Sequence, residues 1–164
     1  MAIKRIIGWI AVLIALDQII KFIIYHHFFE VRFVILPSLL EFFPKFNTQY
    51  SYINQLYDLK IDVIYYILFV LTLQFLGIFY YVKEREKYSI NLLNYVLIFF
   101  EAGIICAFIE YFKKEGVLDY IYLKSYFIFD LKDVYLNIFA FLLPIYAIKV
   151  YNLKRKILNH NNSI

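Results

Sequence analysis

Four stretches of the chain are long and almost free of charge: about Ile6 to Tyr25, Ile61 to Val82, Ile90 to Phe112 and Asp133 to Tyr151. A helix needs roughly 20 mostly apolar residues to cross the hydrocarbon of a bilayer, so the pattern predicts four transmembrane helices. The segments between them are unequal. A long loop spans 26–60, a second loop spans 113–132, and the short polar run KEREK (83–87) joins the middle two stretches. The first apolar stretch follows Lys4 and Arg5 as a signal peptide would. It contains Asp17, Gln18 and Lys21 and is followed by no small-residue cleavage site, so it reads as a retained span.

Composition strengthens this reading. Hydrophobic residues make up 63% of the 164 positions, and mean hydropathy is +0.67. That is too apolar for a soluble domain of this length, and it predicts a single polytopic membrane domain over 1–164. Basic residues set the expected orientation. Lys4 and Arg5, then Lys83, Arg85 and Lys87, then Lys149, Lys154, Arg155 and Lys156 fall on one side of a four-span chain. That makes nine, against seven in the loops 26–60 and 113–132. Both termini are therefore expected in the cytoplasm, with the two longer loops outside. The net charge of +4 follows from this topology, and the basic tail suits anionic lipid headgroups. Nothing calls for a nucleic-acid partner. Cys106 is the sole cysteine, so an intramolecular disulfide is impossible. His26 and His27 are adjacent and lack further ligands at metal spacing, so no metal site is expected. The triplet NNS (161–163) matches a glycosylation acceptor, but on the cytoplasmic side it would carry no meaning.

The chemistry lies in polar residues at membrane depth, where a carboxylate or lysine normally pairs or lines a polar cavity. Asp17 and Lys21 are four apart in the first span and share a helix face. Glu101 lies near the middle of the third span and Glu110 near its outer end. Asp119 follows in the second outer loop, Asp133 opens the fourth span, and Asn47 lies in the first outer loop. All but Glu101 can gather near the outer interface. Taken singly they have plain structural readings: Asp133 as a helix cap, Asp17–Lys21 as an ion pair between helices. Taken together they allow a specific reaction. Two carboxylates side by side cannot both ionise easily, so they share a proton. One then acts as base on a water while the other polarises a carbonyl, which hydrolyses a peptide without metal or covalent intermediate.

The order of these residues resembles the signal peptidase II family, the lipoprotein signal peptidases, over nearly the whole chain. The family motif D-Q-x-x-K is intact as Asp17, Gln18, Ile19, Ile20 and Lys21. N-x-G-A-A-F resembles NTQYSY from Asn47 to Tyr52, where Gln49 stands at the glycine. G-N-x-x-D-R falls on Cys106 to Tyr111, with Glu110 preserving the acid and Ala107 and Tyr111 at the asparagine and arginine. V-x-D-F falls on Val117 to Tyr120. F-N-x-A-D falls on Phe129 to Asp133, with Asp130 at the asparagine and Lys132 at the alanine.

The resemblance implies an all-α membrane protein of four transmembrane helices. It adds a small extracytoplasmic β-cradle and a short interfacial helix, both from the first outer loop. FEVRFVI (29–35) is β-branched and aromatic enough to supply a strand, and SYINQLYDL (51–59) suits the short helix. Asp119 and Asp133 would be the catalytic pair, and the oily stretch between them would pack over the site or touch lipid. Asp17, Gln18, Lys21, Asn47 and Glu110 would shape the site or hold substrate. The implied activity is an intramembrane aspartyl endopeptidase of the bacterial cytoplasmic membrane. It would remove signal peptides from diacylglyceryl-modified prolipoproteins without a cofactor, with membrane lipid as the other partner. Two alternatives stay open: an inactive relative that binds lipidated peptides or a membrane partner, and an unrelated four-span transporter or assembly factor with Asp17, Lys21 and Glu101 along a polar path.

Overall fold

In the computed structural model, residues 1–50, 52–88 and 90–161 are described. Ser51, at the start of the expected interfacial helix, and the end of the NNS triplet lie outside them. Helix α1 (Ile3–Ile23) runs on into one π-helical turn, Ile24–Phe28. Strands β1 (Phe33–Leu36) and β2 (Leu40–Asn47) and the short helix α2 (Tyr52–Tyr57) follow. Next come α3 (Val63–Lys87), α4 (Leu92–Glu110), β3 (Val117–Leu123), β4 (Phe127–Phe129) and α5 (Leu131–Asn161). Four of these helices are long and apolar enough to cross a membrane, and a small antiparallel sheet accompanies them, which is the fold class expected.

The helices divide sharply by burial. In α4, 61% of the span is buried, against 6–17% in the other three. Helix α4 is thus the axis, with α1, α3 and α5 packed around it. The outer helices turn large apolar side chains outward: Ile7, Trp9 and Phe22 on α1, Phe69, Phe75 and Phe79 on α3, Phe141 and Ile148 on α5. A soluble protein would aggregate through such faces; in a bilayer they meet acyl chains of equal polarity. Helix α3 starts where Asp62 accepts the Ile64 amide at 3.0 Å, satisfying one of the orphan donors at a helix start.

The sheet has the order β1-β2-β3-β4, all antiparallel. Here the structure corrects the expectation that the cradle comes from the first outer loop alone. The oily stretch after Asp119 folds as the hairpin β3–β4, and β3 pairs with β2 across the two loops. Its residues are β-branched and aromatic, and Ser125 takes a positive φ of 66° in the turn between its strands, so it pairs its backbone instead of lying as a flap. Strand β2 carries an irregularity between Phe42 and Lys45 that contains Pro44. Proline has no amide to donate, and a bulge is where a strand tolerates it. At the other end of the pairing Asn47 faces Val117. Gly116 just before it has φ +95°, and a Cβ there would stand 2.6 Å from the Asn47 carbonyl oxygen. Only glycine lets the chain leave α4 and enter β3 this close to the end of β2.

Candidate active site

Side-chain alternation along β3 aims the first acid. Leu118 and Tyr120 pack with Ile24, Phe42 and Phe46 on one face of the sheet. Asp119 between them must point the other way, and with Val117 it lines a cavity of about 940 Å³. The cavity runs from the sheet, past Asn47, Tyr66 and Tyr111, down between α3, α4 and α5, where Val70, Leu73, Phe100 and Leu136 make its wall apolar.

The start of α5 supplies the other acids, Asp133 in its first turn and Asp130 just before it. The Asp133 amide donates to Asp130 Oδ1 at 3.1 Å, and the Asp130 amide donates to Asp133 Oδ2 at 3.2 Å. This is a reciprocal capping box with Asp130 as the cap and Asp133 three residues on. Helix capping therefore falls mainly to Asp130, which leaves Asp133 Oδ1 unclaimed by the box. Oxygen atoms of Asp119, Asp130 and Asp133 all lie within 4.8 Å of one another. Such spacing is short enough for a metal ion, but the Lys132 ammonium already stands among them. Its Nζ is 2.6 Å from Asp130 Oδ2, 3.5 Å from Asp119 Oδ1 and 3.9 Å from Asp133 Oδ1.

A second lysine lies behind the first. Lys21 Nζ is 3.1 Å from Asp17 Oδ2, one turn away on α1, and 2.6 Å from Glu110 Oε1 at the end of α4; it also pairs with Asp130. Glu110 reaches Lys132 through its other oxygen at 3.3 Å. Five carboxylates (17, 110, 119, 130, 133) thus surround two ammonium groups, from α1, α4, β3 and α5. Asp17, Lys21, Glu110 and Asp130 are almost completely buried. Asp119, Lys132 and Asp133 form the part of the cluster that opens on the cavity.

Negative charge is in excess, and the two loop aspartates respond oppositely. Burial pushes the Asp119 carboxyl up to about 7, with Asp130, Asp133 and Glu110 adding to the rise and Lys132 opposing it. Burial acts in the same upward sense on Asp130, but there Lys132 and Lys21 outweigh it and hold the carboxyl down at about 2. Asp130 is therefore a fixed anion, whereas Asp119 can hold a proton near neutrality.

Other residues singled out from the sequence sit around this centre. Gln18 donates to Asp17 at 2.9 Å and accepts from Lys113 at 3.2 Å, tying α1 to the loop after α4. Asn47 is on the cavity wall, and its Oδ1 accepts the Gln49 amide at 3.0 Å. Glu101 takes a hydrogen bond from Gln74 on α3 at 3.2 Å, deeper in the bundle. Asp130 and Lys132 were not named as site residues from the sequence. Their signal was the D-L-K-D run opening a span, since acids three apart at a helix start are the spacing of a capping box.

A family model described as signal peptidase (SPase) II matches residues 9–149. Two solved structures share the fold, both described as bacterial membrane enzyme structures obtained by the in meso method. One, at 2.3 Å resolution, aligns with a TM-score of 0.76 and 18% identity over 90% of this chain and 89% of its own. The other, at 1.9 Å, aligns with a TM-score of 0.75 and 18% identity over 90% of this chain and 94% of its own. No curated protein matches the chain in sequence.

Proposed function

Because the chain belongs to the signal peptidase (SPase) II family, we propose that it cleaves the signal peptide from diacylglyceryl-modified prolipoproteins with Asp119 and Asp133 as an aspartyl pair. One observation carries the reading. The two acids come from different elements, β3 and α5, yet they open on the same cavity with carboxylate oxygens within 4.8 Å. The cavity suits such a substrate in its two halves. Polar side chains gather at its end near the sheet, and the apolar wall between α3, α4 and α5 would offer surface for a signal-peptide segment or acyl chains.

The chemistry then follows from the proton that the pair shares. Asp119, raised to about 7, holds the proton at neutral pH and donates a hydrogen bond to the scissile carbonyl. Asp133, ionised, takes a proton from a water between the two, and the water oxygen bonds to the carbonyl carbon. Asp119 passes its proton to the carbonyl oxygen as that bond forms, which gives a tetrahedral diol. The diol collapses as the C–N bond breaks: the leaving nitrogen takes the proton from Asp133, and the re-forming carbonyl returns the other proton to Asp119. Asp17, Lys21 and Glu110 fix the ends of α1 and α4 behind the pair, and Asn47 borders the path of the chain.

The test is cleavage of a lipid-modified precursor by purified protein. Asp119→Asn and Asp133→Asn should each nearly abolish cleavage while leaving the protein folded, and the double variant should be little worse, since groups acting as one unit are strongly non-additive. Activity within a few-fold of wild type in either single variant would overturn the pair. Folded wild-type protein that leaves the precursor intact would favour the inactive relative instead.

A further inference from the structure

Lys132 is a charged side chain that the pairing of Asp119 with Asp133 does not itself require. It is the second residue of α5, and its side chain is only 9% exposed. Its shortest contacts point away from the cavity, to Asp130 at 2.6 Å and Glu110 at 3.3 Å. From that mooring it reaches both members of the pair, at 3.5 Å and 3.9 Å. Lys21 contacts Asp17, Glu110 and Asp130 instead, and Lys45 lies opposite Asp119 in sheet register on the cavity wall. Tyr111, just past the end of α4, lines the same cavity.

An aspartyl pair needs one base and one acid at once. Asp119 is buried, with the half-buried Asp133 beside it and Asp130 and Glu110 as further neighbours, so it is driven toward holding a proton, and a pair carrying two protons has no base. A cation a few ångströms from both favours ionisation of one of them. We propose that Lys132 is a positioning residue for the reaction: moored on Asp130 and Glu110, its ammonium sets the pH range in which Asp119 and Asp133 share a single proton. The proposal rests on the aspartyl reading above. Its sign is definite. The cation stabilises each ionised form, so it lowers both the step that gives the pair its base and the step that takes away its last proton. Without it, both limbs of the pH–rate profile move up.

The experiment is the pH profile of kcat/KM for precursor cleavage by wild type, Lys132→Gln and Lys132→Arg. In Lys132→Gln both limbs should rise by roughly one pH unit, the lower end of the effect of a charge at this distance, with KM changed less than the maximal rate. Lys132→Arg restores the cation and should return both limbs to their wild-type positions. The same comparison is made between Glu110→Gln and Glu110→Gln/Lys132→Gln, where one buried carboxylate fewer is left unpaired. There too the limbs of the doubly substituted protein should lie above those of its parent. A uniform loss of rate at every pH with unmoved limbs would overturn the proposal. So would failure of both neutral variants to fold while Lys132→Arg folds, which would assign the lysine to the scaffold. A wild type that does not cleave at all fails the aspartyl reading itself, and is distinguished by that from any failure of the variants.

Discussion

Lys21 touches three carboxylates at once, on α1, α4 and the residue before α5, so its loss is more than the loss of one pair. Lys21→Met leaves Asp17 buried without its ion-pair partner, and leaves Glu110 and Asp130 with Lys132 alone. Breaking a buried ion pair from one side commonly costs roughly 3–5 kcal/mol. We expect a large fall in thermal stability in detergent and in folded yield. Lys21→Met with Asp17→Asn should recover part of it by removing one orphaned charge. A melting curve for Lys21→Met indistinguishable from wild type would show that the cluster does not support the fold. Asp119 predicts a pH dependence. Its carboxyl is raised from 3.8 to about 7, so the folded state holds more protons than the unfolded chain between those values. The stability it contributes is full below about 4 and is lost as pH rises through about 7. Asp130 works in the opposite sense, contributing above 3.8 and fading as pH falls through about 2. Melting temperatures from pH 4 to 8 should therefore decline less in Asp119→Asn than in wild type; an equal decline would contradict the shift.

At the scale of elements, the site depends on how closely α5 lies against α4. Gly103 on α4 makes this approach possible. A Cβ there would stand 2.7 Å from Leu136 Cγ and 3.3 Å from the Lys132 carbonyl oxygen. Leu136 can yield by changing rotamer, but the backbone at Lys132 cannot move without carrying Asp133 with it. Gly103→Ala should thus lower cleavage more than it lowers stability, because a small displacement at the reacting groups is expensive in rate. Leu136→Ala in that background makes room and should restore part of the rate. The check is kcat/KM well below the melting temperature of each variant. Unchanged kinetics for Gly103→Ala would show that the start of α5 is not held by this contact.

For the molecule as a whole, the arrangement is a helix bundle turned inside out, apolar toward lipid and polar at one end of its axis. The acidic cluster and the sheet lie at the same end as the β3–β4 turn, and the KEREK segment closes the opposite end at the foot of α3. We expect the cluster's end to face outward, as the basic residues near the termini and KEREK imply. In a Cys106→Ala background, an impermeant thiol reagent added to intact cells should label Ser125→Cys and not Glu86→Cys. The reverse pattern would invert the topology.

The four spans were legible because spanning is a local property. It depends on the length of an apolar run and not on what the run packs against. The meeting of Asp17 with Lys21 was legible for a similar reason, since helical periodicity brings positions four apart together. Asp119 and Asp133 stood out as acids bordering apolar segments, and Asn47 and Glu110 through their place in a motif order. The sheet that joins the loops 26–60 and 113–132 was not legible, because β2 and β3 are separated by two long apolar helices and only their packing brings the strands into register. Asp130 and Lys132 show the limit most clearly. In the sequence, Lys132 stands at a motif position that has lost its alanine, and Asp130 at one that has lost its asparagine. Burial turns them into a fixed anion and its counter-ion, because Glu110 arrives from α4, Lys21 from α1 and Asp119 from β3. Electrostatic energy among buried charges is set by distances among side chains from separate elements, and only the tertiary structure decides those distances.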